Sequence, residues 1–436
     1  MRIMKFTYRL FPQIRSWIDE LPDSRITSRC TYRMDQVVFC VLMMFMMRYR
    51  SLRSFCKEHG ASEWTLFNFQ KYISINAIPS DDEFRYVLSS VPTWNLNLLL
   101  KKIHSQIERK KMLDSEKFLD QLELVSMDGS GQISSTNVDC EKCLLKKHGD
   151  DEVLHLHGQL VMTLTNSKGS YSLPLYYEPI ENSDTRTQYS KNDCEIVAAK
   201  RAIESLKGLY SKRNFCFLGD NLFAVKPIVE MLLERKWSFI FTAKPERNKE
   251  FFDWYEYLKE QRKTVEVIQD KRKFIYVFRN NLPLNQIPRL KVMKDSLWVN
   301  YLEMTELNLE TGVIIYHNTW MTNIEINQQN VQSIAEGGRA RFSSIENRTF
   351  NELKNRGYQM GHNFGHWGNL PNVFFGLMLI VNLITQLFCL WKKGKEQIEI
   401  IGSVRRYFET LGVLVAHMGI QEEERILYLK FEFNTS

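Results

Sequence analysis

Three carboxylates in this 436-residue chain stand where they could hold divalent metal ions. Asp128 ends the apolar run LELVSMD and is followed by Gly129 and Gly131, and Asp220 ends the run NFCFLGD. Glu346 lies in RFSSIENRTFNELKNRG, a segment of helical pattern where Arg341, Arg348, Lys354 and Arg356 supply positive charge. Hard ions such as Mg2+ take oxygen ligands at roughly 2.0–2.1 Å and usually keep some of their waters. A pair of such ions about 3.5–4 Å apart clamps the attacking and leaving oxygens of a phosphodiester. Three acids meeting at one edge of a sheet would suit that pair, and Arg341, Arg348 and Lys354 would hold backbone phosphates beside it. Each residue also has a plainer reading: an Asp before Gly is commonly a turn residue, and a Glu on a basic helix commonly pairs with a residue four away. The order and spacing of the three acids, more than any one of them, point to a site.

Asp193 and Glu195 in KNDCE compete with Asp220 for the second acidic position, although the positive end of a helix also favours acids there as caps. A different chemistry is open to CEKCLLKKHGDDEVLHLHG, which carries Cys140, Cys143, His148, His155 and His157. A tetrahedral zinc ion takes four Cys or His ligands. Cys140, Cys143, His148 and His157 form the expected set, with an unmetallated loop as the alternative, and His362 or His366 in HNFGH could contribute if that segment folds back. The chain has no GxxxxGK[ST], HExxH or GxSxG pattern, which argues against a P-loop nucleotidase, a zinc protease or an α/β-hydrolase.

The elements that must position these residues can be read from periodicity. Up to about residue 119 the apolar spacing is helical, with SLRSFCKEHG ending on a glycine stop and IPSDDEFRYVLSSV opening on a serine cap. KKMLDSEK reads as a polar hinge to a second domain over 120–436. There LELVSMDGSGQISS predicts a strand that turns at Gly129 and Gly131, and LHGQLVMTLTN and SYSLPLYYEPI predict two more in meander order. NDCEIVAAKRAIESLKGLY reads as a helix capped by Asn192 or Asp193. Strand NFCFLGD, helix FAVKPIVEMLLERK and strand SFIFTAK follow, so the pattern describes a mixed sheet with helices on its faces. Between about 262 and 323 four strand patterns form a β-rich insertion. VFFGLMLIVNLITQLFCLW is just long enough to cross a bilayer, but Asn382, Thr385 and Gln386 interrupt it, so a buried C-terminal helix is expected and no membrane.

At 44% hydrophobic the chain can bury a large core. Its net charge of +7 is gathered near the start, where residues 1–120 hold 19 Lys and Arg against 13 Asp and Glu. That excess favours an acidic partner such as nucleic acid, an ordinary solvated surface being the alternative. The eight cysteines form no secreted disulfide framework, and the opening MRIMKFTYRLFPQIRSW has no apolar export core, so a reducing, cytoplasmic setting is expected.

The segments SMDGSG, CEKCLLKKHG, KNDCE, GGRARFSSIENRTFNELKNRGY and HNFGH together resemble those of bacterial DDE transposases, the insertion-sequence group whose last acid lies in a Tyr-Arg-Glu-Lys signature. The resemblance runs over most of the chain as far as HNFGHW and is most specific around Glu346. It implies an α/β fold with a ribonuclease-H-like mixed sheet, a β-rich insertion, and an all-helical basic N-terminal domain over 1–119 that binds DNA ends. It implies Asp128, Asp220 and Glu346 as the catalytic, metal-holding triad, with Mg2+ or Mn2+ as cofactor. The implied activity is cut-and-paste transposition in the bacterial nucleoid. The implied partners are double-stranded DNA, as terminal inverted repeats and as target, and a second copy of the chain in a homodimer on that DNA. Gly338 stands where the signature has its tyrosine. Four residues separate Arg341 from Glu346 where the signature has three, and seven separate Glu346 from Lys354 where it has six. The irregular spacing motivates an alternative, a decayed or domesticated copy that binds DNA without cutting it.

Overall fold

Apolar residues at helical spacing fold the start of the chain into α1 (Arg2–Leu10), α2 (Ile14–Asp19), α3 (Met34–Met46), α4 (Leu52–His59), α5 (Glu63–Ile73), α6 (Asp81–Leu88) and α7 (Thr93–Arg109). The computed structural model describes residues 2–113, 116–148, 152–182, 192–284 and 296–420. Ser51 and Ser80 cap α4 and α6, accepting hydrogen bonds from the backbone N–H of Ser54 and Glu83, and α4 stops at Gly60. Part of the expected hinge at 110–117 lies outside the described residues.

Ten strands then form one mixed sheet. They are β1 (Glu123–Ser135), β2 (Leu144–His148), β3 (Glu152–Thr165), β4 (Leu173–Ile180), β5 (Phe215–Gly219), β6 (Ser238–Thr242), β7 (Lys263–Gln269), β8 (Arg272–Leu284), β9 (Leu297–Asn308) and β10 (Ile314–Thr322). The order is β2-β3-β1-β5-β6-β10-β9-β8-β7, with β4 also pairing β3, beyond β2 on the edge away from β1. β1, β3 and β4 are antiparallel, whereas β1, β5 and β6 are parallel, their connections carrying α8 (Glu195–Leu209) and α9 (Lys226–Glu234). The mixed sheet with flanking helices is therefore as expected. The insertion is not a separate module: after α10 (Lys249–Tyr257), β7 to β10 extend the same sheet, because β10 pairs antiparallel with β6. β1 does not turn at Gly129 and Gly131 but continues to Ser135 with one irregularity between Gly131 and Ile133. β2 is a strand where the sequence offered only a loop.

Strand alternation decides what each face carries. In β1, Val125 and Met127 enter the main core, while Leu124 joins a second cluster with Cys216 and Leu218 of β5 and Ile240 of β6. This second face is covered by α11 (Val331–Arg341), through Val331, Ile334 and Ala335. Trp320 of β10 is fully buried against α11, and a Cβ on Gly338 would lie 2.6 Å from its indole Nε1. Gly338→Ala is expected to destabilise the fold by roughly 1–2 kcal/mol, overpacking outweighing the better helix propensity, as read from a urea unfolding midpoint.

After α11 the chain continues through a nine-residue π-helix, Phe342–Phe350, into α12 (Asn351–Asn355). Three more helices follow: α13 (Leu370–Leu390), α14 (Lys392–Ile401) and α15 (Val404–His417). By length and composition α13 could cross a membrane, but here it is wrapped on its sides by α3, α7 and β4. The polar residues that interrupt it have partners. Gln386 donates to Ser172 O and Asn382 Oδ1 and accepts from Ser172 N, and Thr385 pairs with the Tyr358 hydroxyl. The N-terminal helices do not form a core of their own. One hydrophobic cluster runs from Ile3 to Val415, Phe45 meets Phe364 and Phe374 edge-on, and Asn68 and Ser62 of the N-terminal region donate to the Val415 and Ala416 carbonyls. The division at residue 119 thus separates stretches of sequence, not hydrophobic cores.

Candidate active site

The parallel register of β1 and β5 sets Ser126 opposite Leu218, and two residues beyond the end of that pairing Asp128 and Asp220 come level. Both fall on the face covered by α11, since alternation places them with Leu124, Cys216 and Leu218. Asp128 lies within β1 and Asp220 just past the end of β5, where its Oδ1 accepts from Leu222 N–H at 2.7 Å. Glu346 reaches them from the π-helix. Ser344 Oγ meets Ser126 Oγ at 2.7 Å in the buried seam, and Arg348 Nε donates to the Gly169 carbonyl at 2.8 Å in the turn between β3 and β4.

Arg341 joins the acids. One guanidinium nitrogen lies 3.0 Å from Asp128 Oδ2 and the other 3.2 Å from Glu346 Oε1. Arg341 and Glu346 are five residues apart, a separation that would turn them away from one another on an α-helix. In the π-helix the hydrogen bonds run from i to i+5, as Asn351 N–H to Glu346 O shows, so residues five apart lie on one side of the helix. The wide turn thus brings Arg341 and Glu346, with four residues between them, to one side of the helix.

Burial raises the Asp128 carboxyl to about 7, with Asp220 and Glu346 adding to the rise and Arg341 opposing it. A fourth acid comes from the opposite face. A Cβ on Gly129 would lie 2.3 Å from Glu195 Cδ, so the Glu195 side chain fills the place of the one Gly129 lacks. Its carboxyl is raised by burial and by Asp220. Glu195 is on the first turn of α8, whose N-cap is Cys194 and not Asn192 or Asp193. Asp193 instead pairs with Arg201 at 2.8 Å. Of the KNDCE pair that competes with Asp220 in the sequence, Glu195 thus joins the acids beside it, whereas Asp193 does not.

A cleft of ≈ 930 Å³ opens beside Asp220, and Lys168, Lys244, Arg339 and Arg341 line it with Tyr316 and Phe342. Lys168 and Lys244 come from the β3–β4 turn and the end of β6, and nothing in their local sequence distinguishes them from other surface lysines. Of the expected phosphate ligands only Arg341 reaches this cleft. Arg348 lines a different cavity with Glu352 and Gln386, and the exposed Lys354 lies over the Phe350 ring.

The oxygen donors of Asp128, Asp220, Glu346 and Glu195 are the chemistry Mg2+ or Mn2+ prefers. Burial, with the neighbouring acids adding to it, raises the Asp128 carboxyl, and the Arg341 guanidinium beside Asp128 and Glu346 opposes that rise. The guanidinium pairs with Asp128 and Glu346 through its two terminal nitrogens.

The expected zinc set forms in part. Cys140 and Cys143 lie with His157 of β3, and the fourth residue is His366, not His148. β2 carries the His148 backbone four pairs along the ladder from Leu144↔Leu156, roughly 13 Å away at about 3.3 Å per residue. Hydrogen bonds from Cys143 and His157 hold the Cys140 thiol well below its ordinary range, against the opposing effect of burial. No protein-family model and no curated protein matches this chain.

Proposed function

We propose that the chain is a DDE-type DNA transposase, which cuts and joins phosphodiester bonds at the ends of an insertion sequence on a ribonuclease-H-like catalytic unit. The observation that carries this reading is the meeting of Asp128, Asp220 and Glu346 from a strand, a strand end and a helix more than two hundred residues apart, beside a basic cleft. Three antiparallel strands followed by two parallel ones with crossing helices support the fold half of the proposal.

Asp128 and Asp220 would hold one divalent ion between them and Glu346 would complete a second position, with Glu195 adding negative charge behind Asp220. Bound there, Mg2+ or Mn2+ would supply an activated nucleophile and neutralise charge on the scissile phosphate. Arg341, Arg339, Lys168 and Lys244 would seat the DNA backbone, and the nucleophile would be water in the first step and the freed 3′-hydroxyl in the second. Both steps are in-line phosphoryl transfers, so positioning and electrostatics carry the catalysis. Inverted-repeat recognition by the basic N-terminal helices, a homodimer on the two ends, and residence in the nucleoid belong to the same proposal.

The DNA-binding relic was suggested by the irregular spacing from Arg341 to Lys354; the π-helix accounts for the Arg341–Glu346 part of it, and the Glu346–Lys354 part still speaks for the relic. The two readings part in a nicking assay on labelled duplexes carrying the DNA that borders the gene. The proposal expects strand cleavage that needs Mg2+ or Mn2+ and is lost in Asp220→Asn and Glu346→Gln, while all three proteins bind the duplex with a steep salt dependence. Equal binding with no cleavage by the wild type in either ion would sink it and leave the relic.

A further inference from the structure

Two thiols and two imidazoles from three separate segments meet next to the sheet. Cys140 and Cys143 form a knuckle between β1 and β2, closed by Cys143 N–H to Cys140 O at 3.1 Å. His157 comes from β3, and His366 from the segment between α12 and α13. The Sγ–Sγ distance is 3.7 Å. His157 Nε2 lies 3.2 and 3.4 Å from the two sulfurs, His366 Nε2 lies 3.2 Å from Cys143 Sγ, and all four donor atoms fall within 4.8 Å of one another. Bonds of about 2.3 Å to sulfur and about 2.0–2.1 Å to nitrogen at tetrahedral angles give edges of roughly 3.8 Å for S–S and 3.5 Å for S–N. The observed separations are close to these.

Hydrogen bonding accounts for pairs within the cluster but not for the convergence of all four. Cys143 is fully buried, and His157 and His366 are 2% and 8% exposed. Among the described residues, this is the group of Cys, His and acidic side chains whose donor atoms close on a single point. Two thiolates also balance a divalent cation, so the buried site would carry no net charge.

We propose that Cys140, Cys143, His157 and His366 bind a structural zinc ion. This inference does not depend on the proposed function. With all four positions taken by protein the ion has no open site for chemistry, and its role is that of a clamp. It ties the β1–β2 knuckle and β3 to the segment that leads from the helix of Glu346 to α13, a crosslink between residues 223 apart in sequence.

The test uses full-length protein made in zinc-supplemented medium and purified under reducing conditions, with metal content measured by mass spectrometry and the protein then loaded with Co2+. The expected result is one zinc per chain, and with Co2+ the intense visible bands of tetrahedral coordination together with thiolate charge transfer. Loss of an outer-shell partner alone weakens metal sites about 10–100-fold. Cys143→Ser and His366→Asn should therefore each weaken zinc by at least about 100-fold against a chromophoric chelator, whereas His148→Asn should hold it like the wild type. Wild-type protein without zinc and with an octahedral Co2+ spectrum would overturn the proposal, as would His366→Asn retaining zinc at full affinity. If the variants precipitate, the wild-type spectrum alone decides between the tetrahedral thiolate site and its absence.

Discussion

Asp128→Asn is expected to stabilise the metal-free protein at pH 8 while lowering cleavage by roughly 10³-fold or more. The Asp128 carboxyl titrates at about 7 in the fold, against an ordinary value of 3.8. Its folded state binds the proton more tightly than its unfolded state, so ionisation opposes folding. The cost is absent below about pH 4, grows as pH rises, and is complete above about pH 7, where it reaches at most about 4 kcal/mol. Asparagine carries no charge to bury and still offers Arg341 an oxygen. Urea unfolding in EDTA should therefore find the variant and wild type alike near pH 4 and the variant more stable at pH 8. Millimolar Mg2+ should raise the stability of the wild type only. Equal stability at pH 8 in EDTA would mean that Asp128 is not under the strain its surroundings imply.

Arg341→Ala should act in the opposite direction and depend on metal in a way that identifies its role. The guanidinium is the cation within salt-bridge distance of both Asp128 and Glu346, and it is largely buried. Breaking a fully buried pair costs about 3–5 kcal/mol, and the partial exposure of Glu346 reduces this to roughly 1–3 kcal/mol. Without the arginine, the opposing influence on Asp128 is gone and its carboxyl rises further. In EDTA at pH 8 the variant should unfold at lower urea than the wild type, and a divalent ion should close most of the gap by taking over the charge. Cleavage under saturating Mg2+ then separates two roles. A fall of about 10²–10³-fold would place Arg341 on a phosphate during reaction, and an unchanged rate would confine it to holding the acids apart before the metal arrives.

The two aspartates were legible because strand alternation and parallel register are local rules: Asp128 and Asp220 each end an apolar run, and pairing β1 with β5 brings them level. Glu346 was legible by its charged setting. Glu195 was legible only as a rival to Asp220, with a helix cap as the plainer reading; that it joins Asp220 instead depends on the missing side chain of Gly129 on another strand. The zinc set was half legible. Cys140, Cys143 and His157 are near in sequence, but the choice of His366 over His148 depends on the segment before α13 returning to the β1–β2 knuckle. The continuation of β1 past Gly129 was hidden because glycine signals a turn and a close approach with the same letter. The shared core of α3 and α13 was hidden because contacts between residues hundreds apart leave no mark in local periodicity.

The wide helical turn between Arg341 and Asn351 bears on descent. A one-residue gain inside an α-helix can be taken up locally as a π-helix, with both flanks keeping their seats. A sister chain lacking one residue between Arg341 and Glu346 would carry a plain α-helix there, with its arginine and glutamate on one face at i and i+4. Both lengths would offer β1 the same acid and the same base. One residue more or less between Arg341 and Glu346 would then leave their pairing in place, provided the helix changes its pitch to match.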